Sequence, residues 1–182
     1  MTPQEKQETF KNELALIQDD SIRIGIKKLI GDIPDYFFNI PASSTGKYHP
    51  KFALGDGGLV RHTKACVMIA EELLELEMFE KLEPMHDYII GALILHDCMK
   101  NGYGEKYTRS DHPKLAKDFI IQNCININSA FILAELVETH MGQWNTDFKT
   151  GKEILKKPQT PQQKFVHMCD YLASRKFLEV QF

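Results

Sequence analysis

His96 and Asp97 stand together at the end of the most apolar stretch of the chain, Tyr88-Ile-Ile-Gly-Ala-Leu-Ile-Leu95. Ionisable side chains at the tip of an apolar helix are costly unless something satisfies them, and a metal ion does so. Lys100 follows four residues after His96 and three after Asp97. On a helix these three share roughly one face, so a cation there can contact a phosphate held by the metal. Four further residues occupy comparable places. His62 follows Gly57-Gly-Leu-Val-Arg61 at a helix start, and His112 begins another helix just before Pro113. His140 closes a third before Met141-Gly142, and Asp170 sits in a helix among Met168, Cys169, Tyr171 and Leu172. Taken singly, each has an ordinary reading as a cap, a surface group or half of an ion pair. An apolar helix nevertheless leaves a carboxylate such as Asp170 in need of a partner.

The elements that must position these residues read as helices. Amphipathic stretches cover about Gln4 to Ile17 and Ile22 to Ile30, the second ending near Gly31 with Pro34 beyond. Pro34 to Gly58 is dense in proline, glycine and serine and predicts a structured surface loop. Helical spacing then runs over Val60 to Phe79, and over His86 to Lys100, where the apolar run on every side predicts the middle of a bundle. Further helices are predicted over Pro113 to Ile121, over Ser129 to His140 with Asn128 as cap, and from Thr160 to about Leu178. The last start carries a capping box, with Pro161 at the first helical position and Gln163 reaching back. No stretch of length alternates as a strand does. The expectation is an all-α, single-domain helical bundle, in which helices of residues 1–40 pack on a core of residues 41–182.

Bulk properties narrow the function. A length of 182 residues fits one domain with one core. A formal charge of −3 argues against coating nucleic acid through a global basic field. No apolar run approaches the ~20 residues of a membrane helix, and Met1 to Asp20 is too polar for a signal peptide. A cytoplasmic protein without a membrane partner is expected. Cys66, Cys98, Cys124 and Cys169 form no C-x-x-C pair and are expected as reduced core residues. Ser44-Thr-Gly-Lys47 is not a phosphate-binding P-loop, because Pro41 and Tyr48 occupy two of its required positions. Lys149, Lys152, Lys156 and Lys157 are expected on a solvated face.

The order His62, His96-Asp97, His112, His140, Asp170 resembles the HD-domain superfamily of metal-dependent phosphohydrolases, over about Pro41 to Phe177. There a histidine, a His-Asp doublet and a distant aspartate come from different helices. His96-Asp-Cys-Met-Lys100 is similar to the H-D-x-x-K form of the doublet, and His112 and His140 to the extra histidines of members that hold two metals. Pro41-Ala-Ser-Ser-Thr-Gly-Lys-Tyr-His-Pro50 with Gly57-Gly-Leu-Val-Arg-His-Thr63 resembles the approach to the first ligand in HD-domain 3′-to-5′ exoribonucleases. The residues before the loop read as helical, so no strand-rich nucleic-acid-binding domain of the kind these enzymes carry is expected there. The chain also has His140-Met141 where many two-metal members have two adjacent histidines.

The resemblance implies metal ligands His62, His96, Asp97, His112, His140 and Asp170, with Asp97 bridging. It implies one or two divalent transition metals, Mn²⁺, Fe²⁺, Co²⁺ or Ni²⁺ first, with Zn²⁺ and Mg²⁺ as alternatives. The expected reaction is attack of a metal-activated hydroxide on a phosphoester of a nucleotide or a nucleic-acid end. Asp97 and Lys100 would be catalytic, and Lys100, Arg61, Lys47, His49 and Arg109 would contact substrate. The expected partner is a small phosphorylated molecule or a single-stranded nucleic-acid end. Two other classes remain: a diiron HD-type oxygenase, and a non-catalytic metal-containing binding module.

Overall fold

Polar caps or prolines mark the helix starts near Thr2, Asp19, His112, Asn126 and Thr160. The computed structural model describes residues 1–178 apart from 44, 48 and 125, and Ile127 by its backbone alone. Ser44 and Tyr48, which enter the loop resemblance and the rejected P-loop pattern, therefore lie outside the described residues. The α-helices are α1 (Pro3–Thr9), α2 (Lys11–Ala15), α3 (Asp20–Asp32), α4 (Gly58–Leu74), α5 (His86–Leu95), α6 (His112–Asn123), α7 (Ile127–Glu138) and α8 (Pro161–Ala173). Short 3-10 helices cover Asp35–Phe38, Lys51–Ala53 and Glu77–Met85. Thr160 and Gln163 form the predicted capping box on α8, and Thr2 with Glu5 forms another on α1. The fold is all-helical. Among the described residues the nearest approach to a sheet is an isolated antiparallel bridge between Thr146 and Glu153.

Several boundaries differ from the sequence expectation, each for a local reason. The stretch 4–17 is two helices, because Phe10 leaves helical angles (φ −111°, ψ 23°). Its buried ring packs against Phe37 and Phe38, with centroids 6.1 and 6.4 Å away. The stretch 60–79 ends at Leu74, and Leu76 is extended (φ −82°, ψ 133°). Asn126, not Asn128, caps α7 by accepting from the N–H groups of Asn128 and Ser129. The last helix stops at Ala173, where the Ser174 hydroxyl donates to the Tyr171 carbonyl (2.7 Å) and competes with a further turn.

α5 is the axis of the molecule. Every residue from Ile89 to Leu95 is buried, and the helix packs against α3, α4, α7 and α8. Gly91 permits the closest crossing: a Cβ there would collide with Ile26 of α3. α4 lies along α8, and α6 along α7. Phe10 and Ile17, from the links that join the first three helices, and Ile26 and Leu29 of α3 belong to the same buried cluster as α5. Each such side chain contributes roughly 1.5–3 kcal/mol by leaving water. Asp87 fastens this region to the start of α5 by accepting from the N–H groups of Gln18 (3.0 Å) and Asp19 (2.7 Å). The four lysines between 149 and 157 are exposed, as expected. No helix among the described residues is long and apolar enough to cross a membrane.

Candidate metal centre

Four helices bring their ends or inner faces to the tip of α5. His62 lies in the first turns of α4, His112 opens α6, His140 follows α7, and Asp170 sits three residues before the end of α8. His96 is the cap residue of α5. The predicted continuation of that helix to Lys100 is replaced by successive three-residue turns, with Cys98 N–H bonded to Leu95 O (3.0 Å) and Lys100 N–H to Asp97 O (3.0 Å). The tighter winding still returns Lys100 to Asp97, and its ammonium is in direct contact with Asp97 Oδ2. All six predicted ligands thus meet in one buried place, with His62, His96, His112, Asp97 and His140 at most 1% exposed.

They form two groups, each with donor atoms within 4.8 Å of one another: Asp97, His112 and His140; and His62, Cys66, His96 and Asp170. In the first, His112 Nε2 lies 3.0 Å and His140 Nε2 3.6 Å from Asp97 Oδ1, and the two nitrogens are 3.1 Å apart. Their Nδ1 atoms face backbone carbonyls, His112 that of Arg109 (2.7 Å) and His140 that of Val137 (2.8 Å). A carbonyl only accepts, so each neutral imidazole carries its proton on Nδ1 and a bare lone pair on Nε2. Three lone pairs therefore converge with no proton between them, and Asp97 Oδ1 has no hydrogen-bond donor. Such a cluster could hold a cation.

In the other group His96 repeats the device, with Nδ1 donating to Leu93 O (2.7 Å) and Nε2 without a hydrogen-bond partner. That nitrogen is 3.4 Å from Asp97 Oδ2 and 3.8 Å from Asp170 Oδ1. The Asp97 carboxylate thus presents one oxygen to each group. His62 Nε2 is 3.0 Å from Asp170 Oδ1, while its Nδ1 has no partner. Cys66 Sγ approaches His62 Nε2 at 3.6 Å. The sequence reading missed this thiol. Its signal was the four-residue spacing from His62, which places both on one face of α4.

The electrostatics suit metal ligation at Asp97, Asp170, His62 and His112, and set His96 apart. Burial opposes the charge on Asp97, but Lys100 and His96 outweigh it and hold the carboxyl well below its usual range. Burial likewise opposes the charge on Asp170, and His62 and His96 overcome it. Burial pushes His62 and His112 down more than their carboxylates raise them, which favours neutral imidazole at neutral pH. His96 is raised, because Asp97 and Asp170 outweigh its burial. Ionised carboxylates and neutral imidazoles are the ligand forms a divalent ion takes.

The other predicted site residues divide. His49 joins the centre, its ring edge-on to His62 at 5.3 Å; burial, then His62 and Lys100, push its pKa down to about 3. The Arg61 guanidinium donates to the carbonyls of Phe52 (2.5 Å), Leu54 (2.9 Å) and Asp56 (2.8 Å), and so fixes the preceding loop onto α4. Arg109 grips Asp111 through two bonds (2.8 and 2.7 Å) and Glu105 through a third (2.9 Å), beside His112. Lys47 is exposed on the loop before His49. His167, which the sequence reading passed over, bonds the His140 carbonyl through Nδ1 (2.6 Å) and the Gln143 side chain through Nε2 (3.1 Å). Its ring fills the space a Cβ on Gly142 would occupy; Gly142 has φ +59°, a conformation that glycine adopts without strain. The signal for His167 was its place three residues before Asp170. No protein-family model, no curated protein and no solved structure matches the chain.

Proposed function

We propose that the chain is a metal-dependent phosphohydrolase of the HD type that cleaves a phosphoester of a nucleotide or of a single-stranded nucleic-acid end. The observation behind this reading is the Asp97 carboxylate, which turns one oxygen to two bare imidazole nitrogens and the other to His96 and Lys100. The orphaned lone pairs of His96 Nε2 and Asp97 Oδ1 fit a divalent ion bound by mixed nitrogen and oxygen donors. Such an ion supplies a water that ionises near neutral pH and a Lewis acid for a phosphoryl oxygen.

The chain's own residues do the rest. His62, His96 and Asp170 hold one side of the centre, His112 and His140 the other, and Asp97 ties the two together. Lys100, anchored on Asp97 with its side chain 12% exposed, offers an N–H at the rim to a phosphoryl oxygen. It adds positive charge where negative charge grows in the transition state. His49 covers His62 and limits the entry of bulk water on that side. A non-catalytic metal-containing module would use the same buried donors; Lys100 at the rim, in contact with Asp97, is what favours hydrolysis.

The test is metal analysis of the purified full chain, removal with chelator, reloading with Mn²⁺ or Co²⁺, and assay on nucleotides and short single-stranded oligonucleotides. Metal-dependent release of phosphate or mononucleotide is expected. A chain that binds no metal, or hydrolysis indifferent to chelator, overturns the proposal. Bound iron with oxygen-dependent turnover and no hydrolysis transfers the centre to the oxygenase class.

A further inference from the structure

The four cysteines differ in what surrounds them. Cys98 and Cys169 are buried, and Cys124 is half-buried with its thiol against the Asn126 carbonyl (3.5 Å). Among the described residues, Cys66 alone enters a ligand group. Its Sγ and His62 Nε2 lie 3.6 Å apart on one face of α4, and the sulfur is within 4.8 Å of the donor atoms of His96 and Asp170. His96 Nε2, fully buried and without a hydrogen-bond partner, points independently to a ligand at this group.

We infer that Cys66 is a metal ligand, so that the group at His62, His96 and Asp170 is a four-donor site with two nitrogens, one oxygen and one sulfur that selects a thiophilic divalent ion such as Zn²⁺. The inference rests on the metal-centre reading above and deepens it. A soft thiolate discriminates against Mg²⁺ and Mn²⁺, which prefer oxygen. Binding replaces the thiol proton, which leaves to solvent. These four donors, with Asp97 Oδ2 as the bridging fifth 3.4 Å from His96 Nε2, fill the coordination of a four- to five-coordinate ion. The group of Asp97, His112 and His140 has only three and keeps a position for water or substrate. The two halves then divide their work: an ion that organises four helices, beside an ion that meets substrate.

Co²⁺ is the probe, because thiolate coordination gives an intense charge-transfer band in the near ultraviolet, distinct from weak ligand-field bands. The cobalt-loaded full chain is expected to show that band. Cys66→Ser should lose it and keep ligand-field absorption, whereas Cys98→Ser should retain it. Zn²⁺ held against a competing chelator should weaken in Cys66→Ser by at least about 10- to 100-fold, the loss that follows removal of a mere supporting partner of a ligand. Cobalt bound to the parent chain with ligand-field bands alone overturns the role of Cys66 and leaves the metal centre standing. A band that survives Cys66→Ser overturns it too, by assigning the sulfur elsewhere. A parent chain that binds neither Co²⁺ nor Zn²⁺ overturns both. Should Cys66→Ser fold poorly, X-ray absorption on the zinc-loaded parent chain reads the sulfur directly: a sulfur neighbour supports the inference, and a shell of nitrogen and oxygen alone overturns it.

Discussion

The two ligand groups sit side by side and differ in how firmly the protein holds them. In the group of Asp97, His112 and His140 both imidazoles are locked by carbonyls three residues earlier in the chain, those of Arg109 and Val137. Nothing in that group has a proton to share. In the neighbouring group only His96 is held this way, by Leu93. His62 has an unpartnered Nδ1, and its Nε2 lies against both Asp170 and Cys66. Protons on His62 and Cys66 can partly quiet that group without an ion. Rigid lone pairs with no proton make a site demand its metal, whereas exchangeable protons make a site tolerate its loss. The first group should therefore bind its ion the more tightly, and at equal free ion gain the more stability; a site at a hundredfold its dissociation constant gains about 2.7 kcal/mol.

The sharpest way to break the comparison is Asp97→Ala, which removes the residue common to both. Metal content in both groups should fall and hydrolysis should drop to background; a variant that keeps two ions would end the bridging role. Folding stability can move either way, because a buried charge and its unmet partners change together. Next in effect are the single-group variants. His112→Ala and His140→Ala should each cost one ion and most activity while leaving the other ion bound, and His62→Ala should spare the ion that these two lose. Metal stoichiometry unchanged in all three would show that they are not ligands.

Lys100→Met separates charge from ligation. Metal content should be unchanged and the rate should fall on the order of 10²–10³, as when one preorganised donor is lost. A variant hydrolysing at the parent rate would remove Lys100 from the chemistry. The smallest effect is expected at His167, which touches no ion but bonds the His140 carbonyl. His167→Ala should weaken metal retention at Asp97, His112 and His140 by roughly 10- to 100-fold. It should leave the cobalt–thiolate band untouched, and loss of that band would make His167 a general prop of the bundle.

Much of this was legible in the sequence because the chemistry-bearing residues sit at helix ends, which caps, prolines and apolar runs announce. Ile89 to Leu95 is apolar all round and lies at the axis; Thr160 and Gln163 cap α8 as their spacing requires. The six proposed ligands converge as their order suggested. What escaped was set by tertiary contact. The break at Phe10 follows from aromatic packing that no local pattern encodes. Arg61 and Arg109 looked available for phosphate, but a guanidinium is drawn to whatever acceptors a loop folds around it, here three carbonyls and two carboxylates. Cys66 reads as one more apolar helix residue until α8 brings Asp170 opposite it.

The ends of α5 and α7 carry one further consequence. Both helices finish at the centre and α6 begins there, so two C-termini and one N-terminus leave about half a negative charge in sum. With Asp97 and Asp170 ionised and Lys100 in contact with Asp97, the protein groups of the centre form an electronegative well that draws cations and repels phosphate. In the proposed hydrolase two divalent ions would reverse its sign. Order of addition would follow: ions first, phosphoester second, with an affinity for the anion that appears only as the well is filled.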